Sequence, residues 1–269
     1  MTESVRVRFG IAVALAVTLG ALPAGLRAQA AATAAKPPAV SAPLPAFDEI
    51  LQRYLTAIGG AAAIKKHTSR VITGSFEILG QNMKGGLKIT AAAPDRLRFT
   101  ISLPAVGDLD RGYNGHVGWA VDQAVGPRLL EGKELDELKH SADFYDDLHE
   151  PQSFSSVTVV GKNVFEGAEC YEVKLVKTTG FEYTEFFDVK TGLLAGTKMN
   201  ATSQMGTMPV VQVSSDYKSF GGILTAAVIR QRMMGLESEI TISSVSFDPV
   251  DPRIFDLPPD IAALVKQQK

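Results

Sequence analysis

Two of the four histidines, His140 and His149, fall in a stretch that also holds Asp143, Asp146, Asp147 and Glu150. Imidazole with carboxylate is a common donor set for a transition metal, so chemistry is looked for here first. The spacing argues against a metal. Ligands on one helix stand at i, i+3 or i, i+4, whereas these histidines are nine residues apart and about 180° around an ideal helix. The group therefore reads as a solvated acidic face. Asp108-Leu109-Asp110 opens like a calcium loop, but Gly112 occupies the third ligand position and no Glu closes a twelve-residue loop, so a plain turn is expected. The sequence contains no G-x-S-x-G, no phosphate-binding Gly-rich loop and no dinucleotide fingerprint. Cys170, the only cysteine, sits in an alternating strand and reads as a small packing residue. No catalytic residue, metal or cofactor is expected, and the chain is not read as an enzyme. A dispersed triad of a Ser with His67 or His116, making a hydrolase on the same scaffold, stays open as a third reading.

The elements around these residues are mostly strands. Phe47, Ile50, Leu51, Tyr54, Leu55 and Ile58 form one apolar helical face, which Gly59-Gly60 ends. Period-two alternation then begins. Ile72, Gly74, Phe76 and Ile78 alternate with polar neighbours, as do Leu97, Phe99, Ile101 and Leu103, and Tyr171, Val173 and Leu175. Further strands are expected near 181–189, 192–203, 209–219, 223–234 and 237–247. Turn residues punctuate them at Gly85-Gly86, Pro94-Asp95, Asn114-Gly115, Gly161-Lys162, Lys190-Thr191-Gly192 and Gly221-Gly222. Short strands with close turns predict an antiparallel meander, because parallel strands need crossover helices. One helix is predicted between Lys133 and His149, with Leu135, Leu138, Ala142, Tyr145 and Leu148 on its apolar face, and a short one follows Ile261.

The N-terminus reads as a secretory signal. Arg6 and Arg8 precede an apolar run from Phe9 to Leu22, and Ala28-Gln29-Ala30 is a small-x-small cleavage site. The run is shorter than the roughly 20 residues that span a bilayer, so residues 1–30 are expected to be removed, leaving no transmembrane segment. Lipid attachment is not expected, since it needs a Cys just after the signal and the single cysteine, Cys170, lies deep in the chain. Residues 31–46, rich in Ala and Pro, are expected to be a disordered tether, and 47–269 a single domain. Removing Arg6, Arg8, Arg27 and Glu3 from the 27 basic and 29 acidic residues leaves 24 and 28, a net charge of −4. That balance argues against nucleic acid as a partner.

Methionine is concentrated late in the chain: Met199, Met205, Met208, Met233 and Met234 are five of the seven. Its flexible thioether suits a surface that accepts varied apolar shapes, although an ordinary core also uses it. Trp119, the sole tryptophan, could fill the core or face a ligand.

Several segments, in order, resemble the LolA-like envelope proteins, the lipoprotein carriers and outer-membrane lipoprotein-sorting relatives. These are Tyr54 to Gly60 with Ala63-Ile64, Pro94 to Phe99, and Asn114-Gly115 leading to Trp119. They continue with Gly167 to Val173, Phe187 to Leu194 and Phe255 to Pro259. The resemblance implies a mainly β (α+β) fold: a strongly curved, unclosed antiparallel sheet, a half-barrel, covered by two or three helices and receiving acyl chains. It implies a periplasmic, non-enzymatic binder or carrier of lipid, lipoprotein acyl chains or a similar apolar ligand. An apolar cavity lined by Phe76, Leu97, Phe99, Ile101, Trp119, Val173 and Met233 is expected. Where the dedicated carriers place an Arg before the strand-leading proline this chain has Ala93, so a relative of the carrier is expected. Lipid or an acylated protein would be its partner, and the molecule a monomer. The second reading is an envelope protein-interaction or sensing module without a ligand cavity.

Overall fold

The computed structural model describes residues 43–104, 107–123, 125–203 and 206–267. The signal expected over 1–30 and the tether up to residue 42 lie outside them.

The first helix, α1 (Phe47–Ile58), buries Ile50, Leu51, Tyr54, Leu55 and Ile58, the face its periodicity marks. Gly59 ends it with φ 119°, a left-handed cap that favours glycine. After the short α2 (Ala61–Lys65) come six strands: β1 (Ser69–Ile78), β2 (Met83–Ala92), β3 (Arg96–Leu103), β4 (Gly107–Tyr113), β5 (Gly118–Asp122) and β6 (Gly126–Leu129). Helix α3 (Gly132–Ala142) interrupts them. Then follow β7 (Phe154–Phe165), β8 (Ala168–Lys177), β9 (Glu182–Asp188), β10 (Leu194–Ser203), β11 (Gly206–Phe220), β12 (Ile223–Met233) and β13 (Leu236–Ser246), with α4 (Pro259–Gln267) last.

All 13 strands form one antiparallel sheet in the order β6-β5-β4-β3-β2-β1-β13-β12-β11-β10-β9-β8-β7. Chain neighbours pair within β1–β6 and within β7–β13, the β1–β13 pairing joins these two meanders, and β6 and β7 are the opposite edges of the sheet. The mainly β fold with helices agrees with the expectation. The strongly curved half-barrel does not: the sheet is neither closed nor strongly curled. The core shows a physical reason. Instead of one centre for the strands to wrap around, it divides between a cluster on β1–β5, β12 and β13 that includes Phe76, Phe99 and Ile101 and one centred on β8–β10 that includes Val173, Leu175 and Phe187. Leu138 and Ala142 of α3 pack into the first, and α1 and Ile64 of α2 into the second.

Four local expectations are also corrected. Asp108-Leu109-Asp110, expected to be a plain turn, lies inside β4 and pairs with β3. Gly85-Gly86 lies inside β2, not at a turn; a side chain at Gly85 would stand 1.9 Å from the Ser102 carbonyl oxygen of β3, so glycine permits close approach there. Gly161-Lys162 lies inside β7, beside a register shift between Val159 and Gly161. The helix expected to run from Lys133 to His149 stops at Ala142, because Asp143 turns to ψ 107°, and a separate 3-10 turn follows at Asp146–Leu148.

Candidate functional site

The sheet face beneath α1, α2 and α3, the covered face, carries most of the predicted lining. Phe76, Leu97, Phe99 and Ile101 meet in the first cluster, with Leu130, Leu138 and Ala142 against them. Val173 belongs to the second cluster, and Met233 is half-buried at the end of β12. Trp119 stands apart. It is fully buried, but its neighbour Ala120 supplies the covered face, so the indole points to the other one. There it lies against Gly112, on the side where the turn at Pro252–Phe255 packs on β3. Cys170 packs with Phe165 and Phe186 in a third cluster, where burial first, and then Asp188, push its thiol up to about 11.

Helix α3 is fastened by polar groups as well as by the packing of Leu138 and Ala142. Glu134 in its first turn accepts from Arg111 of β4 at 2.8 Å and from both terminal nitrogens of Arg128 of β6 at 2.7 Å. One turn on, Glu137 accepts from the backbone N–H of Thr202 in β10 at 2.9 Å. The helix therefore bridges the two halves of the sheet, tied to each by a carboxylate.

Between the two clusters lies a buried polar seam. His149 is 4% exposed; its Nε2 is 2.8 Å from Glu185 Oε2 of β9, and its Nδ1 is 3.1 Å from the Asp147 carbonyl. Burial alone lowers an imidazole pKa, but the Glu185 charge and hydrogen bond outweigh it, with help from Asp146 and the Asp147 carbonyl, and raise His149 to about 9. Lys177, at the end of β8, donates to Asp146 and lies over the Phe154 ring. Burial raises Asp146, yet the charges of His140, Lys177 and His149 hold it below the usual carboxylate range. The His140 pKa is lowered, by burial above all, and its Nδ1 faces Asp146 at 3.5 Å. Tyr54 of α1 donates to Asp147 at 2.7 Å, and Tyr145 to the His67 carbonyl at 3.0 Å. Beside this seam is a cavity of about 130 Å³ lined by Pro94, Asp143, Tyr145, Asp146, Glu150, Ser153 and Lys177.

The acidic stretch around His140 and His149 is therefore a partly buried latch between the helical cover and the sheet, and the reading as a solvated face is corrected. No group of three or more His, Cys, Asp or Glu side chains suited to a metal occurs among the described residues. Sequence reasoning passed over Lys177 and Glu185. A usable signal was present: Lys177 continues the inward positions Val173 and Leu175, and Glu185 lies between Tyr183 and Phe187 on the same face. An ionisable group on a buried face requires a partner.

The fold is shared with known structures. The chain is similar to a DUF1329 family protein from Desulfovibrio piger, at a TM-score of 0.53 and 11% identity over 78% of this chain and 96% of that one. It is similar also to a LolA superfamily protein from Nitrosomonas europaea, at 0.53 and 10% over 78% and 97%. At such identities the likeness is one of fold. No family model matches the chain, and no curated protein matches it.

Proposed function

We propose that this protein is an exported, periplasmic, non-enzymatic binder of an acyl-bearing molecule, a lipid or an acylated protein, taken up on the covered face. The observation that carries this reading is the contrast between that face and its cover. The face is apolar around Phe76, Phe99 and Ile101, whereas α3 above it is tied down by Glu134 and Glu137. Such ties can be remade after the helix moves, and an acyl chain beneath it gains roughly 0.8 kcal/mol per buried methylene. Phe76, Leu97, Phe99, Ile101, Val173 and Met233 are the proposed contacts; Trp119, on the other face, is left out. The fold shared with a LolA superfamily protein supports the reading, as do the signal-like N-terminus and the engagement of His140 and His149 with Asp146 and Glu185. Among the described residues no helix is long and apolar enough to cross a membrane.

The test is native mass spectrometry of protein purified from its own envelope fraction without detergent, followed by organic extraction. A discrete lipid-like adduct is expected. Bare protein that stays bare after incubation with total envelope lipid would favour the second reading, a protein-interaction module. One feature supports that alternative: β7 is a 12-residue edge strand with Val160 and Val164 exposed, open to pairing with an extended segment of a partner.

A further inference from the structure

The covered face is not apolar throughout. The register sets Glu185 of β9 opposite Thr197 of β10, Thr197 opposite Gln212 of β11, and Gln212 opposite Gln231 of β12. Directly opposed residues project to the same side of a sheet, so these four form one polar row across four strands. All are buried, between 5% and 8% exposed. The rows on either side are different. Toward the β12–β13 turn run Tyr183, Met199, Val210 and Met233, likewise opposed in register, and on the other side of Gln231 stand Ile229 and, opposite it, Ile240.

Within the polar row, Glu185 is engaged by His149, and Gln212 is engaged as well. Gln231 differs: its Nε2 is buried and has no hydrogen-bond partner among the described residues. A buried amide N–H₂ that lacks an acceptor is unfavourable, and a packed core replaces it with an apolar side chain of the same size. A donor kept there has a use if an acceptor arrives from outside the chain. Depth gives that acceptor its setting. Met199 and Met233 are half-buried and mark the rim, and Gln231 lies two residues further in, about 7 Å along the strand. Beyond it Ile229, Ile240 and Phe76 offer only hydrocarbon.

We infer that Gln231 reads the carbonyl oxygen of an ester- or amide-linked acyl chain. The polar head lies at the methionine rim, the carbonyl accepts from Gln231 Nε2 one row below it, and the hydrocarbon continues toward Ile229, Ile240 and Phe76. This inference rests on the binder reading and sharpens it from apolar ligands in general to acyl esters and amides. Plain alkyl chains leave the amide unpaired, and an ether oxygen is a weaker acceptor lying off the carbonyl's position, so both are disfavoured.

Monopalmitoylglycerol and 1-O-hexadecylglycerol share head group and chain and differ in that carbonyl. Their affinities are compared by displacement of a fluorescent fatty acid from the mature protein and from its Gln231→Leu variant. The ester is expected to bind the unaltered protein about tenfold more tightly than the ether. In Gln231→Leu the ester should fall to the level of the ether, while ether binding is kept, which also reports that the variant is folded. Equal binding of the two by the unaltered protein, or an ester preference that survives in Gln231→Leu, overturns the inference and leaves the binder reading standing. If neither lipid binds, both fall.

Discussion

The two halves of the sheet are closed by different kinds of interaction. Over β1–β4 the cluster that includes Phe76, Phe99 and Ile101 is sealed by apolar side chains of α3 and its flanks, Leu130, Leu138, Ala142 and Phe144. Over β8 and β9 the segment from Asp146 to His149 is held by Lys177 and Glu185, with Tyr54 of α1 donating to Asp147. Apolar packing is indifferent to pH and salt to first order, whereas buried ion pairs depend on the protonation of each partner. Over β1–β4 the cover therefore rests on packing supplemented by the Glu134 and Glu137 ties, and over β8 and β9 on charge, so the second side responds more strongly to pH. Tyr145 and Phe247 pack against both clusters, so a change on the second side is felt on the first.

The contrast can be broken from either side. Phe76→Ala should cost the most, about 4 kcal/mol, because the residue is fully buried and its loss leaves a cavity. Urea unfolding should return this loss unchanged between pH 6 and pH 9. Lys177→Met should cost about 3 kcal/mol by leaving the Asp146 carboxylate buried without its ammonium. Adding Asp146→Asn to Lys177→Met should recover a good part of that loss. If the double variant is as unstable as the single one, Lys177 acts through packing on Phe154 and not through its charge.

The pH response sharpens the comparison further. His149 has its folded pKa raised from 6.5 to about 9, so its contribution to stability is fully present below about pH 6.5. It is lost progressively as pH rises through about 9, a change of about 2–3 kcal/mol. Asp146, Glu185 and the Asp147 carbonyl raise this ring against the effect of its burial; His140 and His67 are held below their ordinary values, by burial first. A stability profile between pH 6.5 and 9 should therefore fall in the natural chain. It should flatten in the paired variant His149→Phe with Glu185→Leu, where no ionisable group remains at either position. A slope that persists there assigns the titration to another group.

What could be read beforehand follows from how local each signal is. Helix α1 is encoded by its own period and by Gly59, and the turn after β9 by Asp188, whose Oδ1 accepts from the backbone N–H of Lys190 and Thr191 and from the Thr191 hydroxyl. Strand β8 announces itself by alternation. β2 did not, because Gly85 and Gly86 look like a turn until β3 is placed against them. The polar seam was illegible for a stronger reason. His149 and Glu185 are 36 residues apart in the chain, and Asp146 and Lys177 are 31 apart. Only the packing of the cover against β8 and β9 brings them together. The histidines and aspartates were noticed, but their partners stood in strands read for hydrophobic period alone. Trp119 shows the same limit in a single residue. Its burial was foreseeable and its face was not, since that depends on the register of β4 and β5.

Fluorescence quenching by a bromine-labelled acyl chain tests directly whether the covered face is the binding surface. Dibromostearoyl monoglyceride is titrated into two single-tryptophan proteins: the natural chain, whose Trp119 lies on the opposite face, and Trp119→Phe carrying Met199→Trp at the rim of the covered face. Strong quenching of the tryptophan at position 199 with little at Trp119 is the predicted result. Quenching of Trp119 first, or of neither at saturating lipid, would contradict the claim that an acyl chain is held on the covered face.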